Sequence, residues 1–504
     1  MLSKRKKNKG NKVAGLIDRF IEGLMGSKMS IAEGEWIVEQ LQDLADDAMP
    51  RITKLLTSPN KGDRLVALVL LRELDDPRAV APLRRILDEP DYDDEEKIKV
   101  IQALDALGAP IDEATFNRAI SDPHALMQES MKEMLETIQD PHQVEDLLEM
   151  TRESPPEMLE VYLRDVLTPL ADRRLLLMLT TLLHNERDET IIAAIDAIER
   201  IKEPATIPLL EERAQYDPSR QVRHAAESAT LRLQVRVGKL DEEQIPPWIV
   251  PSTLPLAYCL LCTIDGSGGQ VLFVAREEPN GDLQILDLMF NDHEGIKECF
   301  SAVVDEDELD EMTDSFGSVE FVDVSLERAR AEAARAYQVT LDAGRRLPPA
   351  FIAWRGWIEG DDPRQVEEFP LPSLEPSRQV ELLAECEELV GLDEFEFWFF
   401  NPDEVESFVP RYRKLHRQGQ ANRGHAPFET LLDKAIKAVV DNDYRRILPD
   451  RLRRQAWLLA QLYEEEQVSL WALAAAAALE ENLIVEHPLL RKMMSMSFLN
   501  AIGQ

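Results

Sequence analysis

Apolar residues in the first half of this chain recur at the spacing of an α-helix, and the helical runs are broken at regular intervals. Val13, Leu16, Ile17, Phe20, Ile21, Leu24 and Met25 fall at i, i+3, i+4, i+7, i+8, i+11 and i+12, which draws one apolar stripe on a helix with Asp18, Arg19 and Glu22 opposite. Further along, Asp76-Pro77, Ala109-Pro110, Asp140-Pro141, Ala171-Asp172 and Glu203-Pro204 each follow one periodic run and precede another. With Pro77, Pro110, Pro141, Asp172 and Pro204 as anchors, the intervals are 33, 31, 31 and 32 residues. Self-similarity in this range predicts a solenoid in which each helix pair buries its apolar face against its neighbours.

The pattern predicts first helices over 79–88, 111–121, 142–153, 172–184 and 205–215, and second helices over 63–75, 94–107, 124–139, 156–170, 188–202 and 219–236. Gly62 and Gly108, the two glycines between Ala48 and Val237, both fall at predicted breaks. Ser121-Asp122-Pro123 and Asp217-Pro218-Ser219 place a capping oxygen before a proline that needs no backbone donor. Asp217-Pro218-Ser219-Arg220-Gln221-Val222-Arg223-His224-Ala225-Ala226 resembles the Asp-Pro-x-x-x-Val-Arg-x-Ala-Ala signature of HEAT-like repeats, especially the short form of phycobilisome lyases. Asp76–Leu83 resembles the start of the same unit, and the resemblance covers about residues 48–237, although 124–170 lack the signature. It implies an α-solenoid used for protein contacts, with second helices lining the concave surface. Chromophore attachment belongs to a narrow subset of such proteins, and no nucleophile for it stands in these repeats.

After Val237 the pattern changes. Six of the 31 aromatic residues precede position 245. Residues 238–255, with four prolines, read as a stiff linker that few contacts should cross. Leu256–Ile264 and Gln270–Arg276 read as strands of a hairpin around Asp265-Gly266-Ser267-Gly268-Gly269, with a third strand at Asp282–Phe290. Helices are expected at 293–302, 305–314 and 325–343, and apolar Phe351–Ile358 is expected to return to the sheet. Helices at 427–440, 443–464, 468–480 and 487–502 would form a bundle. The fold class is therefore multidomain: a basic tail and amphipathic helix (1–29), a HEAT-like α-solenoid (30–237), the linker (238–255), an α+β domain with a small antiparallel sheet (256–420) and a helical bundle (421–504).

Charge narrows the partners. A net charge of −38 over 504 residues disfavours nucleic acid. Positive charge concentrates at residues 1–12, with six Lys or Arg and no acid, and at 411–454, with twelve against five acids. The second segment reads most simply as pairing internally with acidic parts of the chain. With four cysteines, no apolar run of membrane length and no secretory leader pattern, the expected setting is the cytoplasm. The basic tail and the Val13–Met25 stripe leave two readings: a cap on the first repeat, or contact with an anionic membrane through residues 1–25.

Candidate chemistry is sparse. Cys259-Leu-Leu-Cys262 has knuckle spacing, but on a strand the two thiols point to opposite faces, and no second ligand pair exists. Gly266–Gly269 joins two strands and lacks the lysine of a phosphate loop. The acids from Asp91 to Glu96 lack the glycine of a calcium loop. Asp287, Asn291, Asp292, His293 and Glu294 gather at a strand end, where a base or ligand could stand; an N-cap at Asn291 or Asp292, with His293 and Glu294 in the first helical turn, is the simpler reading. No metal or cofactor is expected. The leading function is a non-catalytic scaffold that binds a protein partner with an acidic segment through Arg64, Arg72, Lys99, Lys132, Arg164 and Arg223 on the second helices. The alternative is a hydrolase-like or ligand-binding central domain built on Asp287, Asp292, His293 and Glu294.

Overall fold

The period of the chain has a backbone cause. Asp75, Gly108, Ala171 and Lys202 each adopt a left-handed conformation (φ +45° to +66°) at the end of a helix; Ala171 is the first residue of its anchor pair, and the other three directly precede theirs. At three of the anchors, and again at Asp140, the acid then accepts a backbone N–H two residues on: Asp76 from Arg78, Asp140 from His142, Asp172 from Arg174 and Glu203 from Ala205. A left-handed residue ends one helix and an acid starts the next. Residues 12–21, 23, 31–42, 44–122, 135, 138, 140–146, 156–237, 248–317, 319–359 and 371–503 are described by a computed structural model. The chain divides into two compact units, Met1–Met134 and Leu135–Gln504, with the border inside the stretch read as solenoid.

The first unit contains α1 (12–21), α2 (Ile31–Gln42), α3 (Ala45–Leu55), α4 (Lys61–Glu73), α5 (Val80–Ile86), α6 (Asp94–Ala106) and α7 (Glu113–Ala119). Asn60 caps α4, Asp93 and Glu96 form a capping box on α6, and Asp112 caps α7. Val13, Leu16, Ile17 and Phe20 join one core with Ile37, Leu41, Ile52, Leu70 and Val100. The stripe of α1 is thus committed to packing along Val13–Phe20; Leu24 and Met25 lie outside the described residues. No helix among the described residues is long and apolar enough to cross a membrane.

The second unit begins with a helix at 141–146 (α8) and α9 (Pro156–Tyr162), which continues through a π-helical turn, Leu163–Leu167, to Leu170. Pro169 supplies no N–H, so the preceding turn widens, and the Thr168 N–H and hydroxyl both reach the Leu163 carbonyl. There follow α10 (Leu176–Leu182), α11 (Asp188–Ile201), α12 (Ile207–Tyr216) and α13 (Arg220–Val237).

Beyond them, β1 (Leu256–Cys262), β2 (Gly269–Glu277), β3 (Leu283–Asn291), β4 (Gly295–Val304) and β5 (Phe321–Val324) form one antiparallel sheet in the order β4-β3-β2-β1-β5. A helix α14 (Glu306–Asp314) lies between β4 and β5 in sequence, and α15 (Leu326–Asp342) and α16 (Pro349–Glu359) follow. α14 sends Leu309 and Met312 into the core on one sheet face, with Phe273, Ile285 and Cys262. α15 and α16 cover strands from the opposite side.

Two expectations fail here. Residues 293–302 form most of β4 instead of a helix: Gly295 is left-handed (φ +80°), and β3 offers a complete antiparallel edge that overrides the ambiguous local pattern. Phe351–Ile358 is helical within α16, with seven residues of that helix buried; an apolar run without a period fits a buried helix as well as a strand. The expectation of few contacts across 238–255 also fails. Trp354 Nε1 donates to Glu145 of α8 at 2.8 Å, Leu347 N donates to His184, and the Tyr337 hydroxyl bonds Glu212 of α12. The first helices of these repeats therefore have α15 and α16 as neighbours.

Besides a single turn at Pro402–Val405, the α-helices that follow are α17 (Gln379–Glu385), α18 (Val409–Arg417), α19 (Ala426–Val439), α20 (Asn442–Leu462), α21 (Glu466–Glu480) and α22 (Pro488–Asn500). The alanine run of α21 lets α20 approach it closely: Ala472 and Ala474–Ala476 are all fully buried.

Candidate functional site

The polar surface of the solenoid is built as a ladder between repeats. In the first unit Arg78 pairs with Asp46 (2.9 Å), Lys61 with Asp93 (2.7 Å) and Arg64 with Glu96 (2.7 Å), each 32 residues apart. In the second unit Arg173 pairs with Glu203 (2.8 Å) and Arg232 with Glu199 (2.6 Å), and Ser219 bonds Asp188. One period along the chain is one step across the stack, so side chains at equivalent positions meet.

The predicted partner-binding residues divide accordingly. Arg64 grips Glu96 with Nε and Nη2, donates Nη1 to the Ser58 carbonyl at 3.0 Å, and lies over the Tyr92 ring. Arg223 donates to the Asp217 and Pro218 carbonyls at 2.6 and 3.0 Å. Each arginine satisfies a carbonyl six residues upstream, so both hold the loop before a second helix. Arg72 pairs with its exposed neighbour Glu73, Lys99 is half-buried on α6, and Lys132 lies outside the described residues. Arg164 is exposed on the π turn.

A more continuous cationic group stands around Arg164 in the second unit. Burial and Glu199 push the Asp196 carboxyl up, while Arg232, Arg200 and Arg164 act on it in the opposite sense. Arg236 also reaches Glu199, at 3.0 Å. Four guanidiniums from α9 or its π turn, α11 and α13 thus face two carboxylates. The signal was present as arginines near one repeat apart, at 164, 200, 232 and 236.

The strand-end cluster does not converge. Asn291 accepts N–H bonds from His293 (2.9 Å) and Glu294 (2.8 Å), which shapes a strand turn rather than a helix start. Asp292 is buried and receives Arg451 Nε at 2.6 Å and Arg454 Nη2 at 3.2 Å from α20. Burial raises its carboxyl, but the His293 and Arg451 hydrogen bonds and the two arginine charges bring it down to about 2. Arg454 also bonds Gln270 and approaches Glu332 of α15. The basic segment around 451–454 is thus an internal ion-pair partner, as its composition suggested. His293 has an exposed side chain 3.5 Å from Asp292, and Glu294 pairs at the surface with Lys297 and Arg345. Asp287 stands apart on β3, opposite Phe273 and Phe300. Of these four groups, the described contacts bring together Asp292 and His293.

Cys259 and Cys262 are buried free thiols, and burial pushes both up to about 12, so they are neutral. Cys262 belongs to the core beneath α14. Arg346, in the connection between α15 and α16, was not legible from sequence. It reaches the Asn185 and Glu186 carbonyls, Asp188 (2.6 Å) and Asp217 (3.0 Å), fixing the aspartate of the repeat signature.

Residues 164–230 match the HEAT-repeat family. That stretch holds α10 to α12, most of α13 and the arginines at 164 and 200. No curated protein matches the chain.

Proposed function

We propose that this chain is a non-catalytic scaffold that holds an acidic segment of a protein partner on the second helices of its repeats. HEAT repeats generally mediate contacts between proteins, and the arginine group around Asp196 and Glu199 supports the reading most directly. It sets four positive charges against two negative ones within a chain of net charge −38. The first helices of these repeats are engaged by α15 and α16, so the second helices are the side left for a partner. They also carry exposed apolar residues: Val161 (50%), Leu231 (59%) and Val235 (88%). Lys99 and Arg72 carry the same proposal in the first unit, while Arg64 in that unit and Arg223 in the second act as supports of their own loops.

The residues of the lyase-type signature enter as architecture. Val222 is fully buried, Asp217 is held by Arg346, and Arg223 closes its own loop. A cytoplasmic setting belongs to the same proposal and agrees with four free buried cysteines.

The test is quantitative capture with the tagged full chain, comparing the native sequence with Arg164→Glu/Arg200→Glu. Charge reversal at exposed positions should reduce capture about fivefold or more at low salt and leave the melting temperature nearly unchanged. Equal capture by both proteins would refute the second-helix surface.

A further inference from the structure

A second surface lies on the sheet, on the face that also carries α14. The strand register aligns Phe300, Asp287 and Phe273 in one row across β4, β3 and β2, and Glu298, Met289 and Val271 in the next. α14 packs over the neighbouring end, where Leu309 shares a core with Ile285, Leu283 and Ala275. Toward the β4 edge, Phe300 is 37% exposed, Glu298 is exposed and Met289 is half-buried.

Asp287 is only 2% exposed in the middle of this patch, and its Oδ1 is buried without a hydrogen-bond partner. Among the described residues no arginine, lysine or backbone N–H reaches its carboxylate. Asp292, five residues on, has two arginines. The charged neighbour acting on Asp287 is Glu298, which repels its ionised form, and burial with that repulsion raises its carboxyl to about 7. A buried carboxylate normally comes with a compensating cation or donor set, and a site that lacks one destabilises the fold.

The geometry points to a docking site for a partner segment that presents an arginine or lysine between aliphatic residues. The cation would lie between Asp287 and Glu298, with its methylene stem on Met289 and its charge near the Phe300 ring. The complementarity is specific in sign: two carboxylates and an exposed aromatic ring, with no cation of the chain's own among the described residues. This site does not rest on the arginine surface of the second helices, whose partner has the opposite charge.

The test uses the full chain and a panel of short capped peptides that differ only at one central position (Arg, Lys, Gln or Glu) between aliphatic residues. Calorimetry at neutral pH should show the Arg and Lys peptides binding at least about tenfold more tightly than the Gln peptide, and the Glu peptide not binding. Asp287→Asn should remove that preference without lowering the melting temperature, and Phe300→Ala should weaken binding of the Arg and Lys peptides. Arg164→Glu/Arg200→Glu should leave it intact, which separates failure here from failure of the scaffold surface. The proposal is overturned if the Arg and Gln peptides bind equally, if none binds, or if Asp287→Asn binds the Arg peptide as the native chain does. Concentration-dependent self-association lost on Phe300→Ala would assign the patch to a second copy and overturn it as well.

Discussion

At the scale of single residues, two carboxylates show how environment decides the sign of a contribution. Asp287 has a carboxyl raised to about 7 from an ordinary 3.8, so the folded chain keeps a proton that the unfolded chain releases. Its contribution to stability therefore falls as pH rises from about 4 to 7 and stays unfavourable above that. Asp287→Asn should stabilise the second unit by about 1–3 kcal/mol at pH 8 and by little at pH 5, read by denaturant melts at both values. Glu96 is the opposite case, with a side chain 1% exposed and a bidentate arginine on it. Arg64→Met should destabilise the first unit by about 3 kcal/mol, because it strands that charge. Adding Glu96→Gln should recover part of the loss, and a double-mutant cycle measures the coupling.

At the scale of elements, the repeat was legible because its signals are local. An acid followed by proline caps a helix in any context, and the intervals between anchors match the left-handed helix ends seen at Asp75, Gly108, Ala171 and Lys202. Three of those four ends lack glycine and hold a side chain in a conformation that disfavours it. Lys202→Gly should accordingly raise stability by about 0.5–1 kcal/mol, measured as a shift in the denaturant midpoint. The sheet was only partly legible. The first three strands announce themselves through β-rich runs and glycine turns, whereas β4 depends on its pairing with β3 and on Gly295. A Cβ at Gly295 would stand 2.1 Å from Thr340 Oγ1 and 2.4 Å from Thr340 N, in a backbone with φ of +80°. The residue that makes the turn is therefore chosen by α15, 45 positions later, which no local pattern can reveal. Asp292 was visible as a candidate, but its role depends on Arg451 and Arg454, 159 and 162 residues away.

At the scale of the whole molecule, the two units differ in what closes them. The first buries one continuous core from Val13 to Ala119, and its ladder pairs join residues of that same unit. A fragment ending at Met134 should fold as a cooperative, helical unit by circular dichroism. In the second unit the C-terminal helices serve the sheet. Arg451 reaches the Gly266 and Ser267 carbonyls as well as Asp292, Gln455 accepts the Ile264 N–H, and Trp398 donates to the Ile264 carbonyl at 3.0 Å. Removing residues 421–504 would take away both arginines and the glutamine together, leaving Asp292 charged, buried and without a cationic partner other than His293. Such an ion in an apolar setting costs several kcal/mol, comparable to the whole stability of a domain. The shortened chain should therefore lose the cooperative melt of its second unit while the first unit's transition survives. Calorimetry of the two chains distinguishes the cases, since an unchanged second transition would mean that the sheet closes without the bundle.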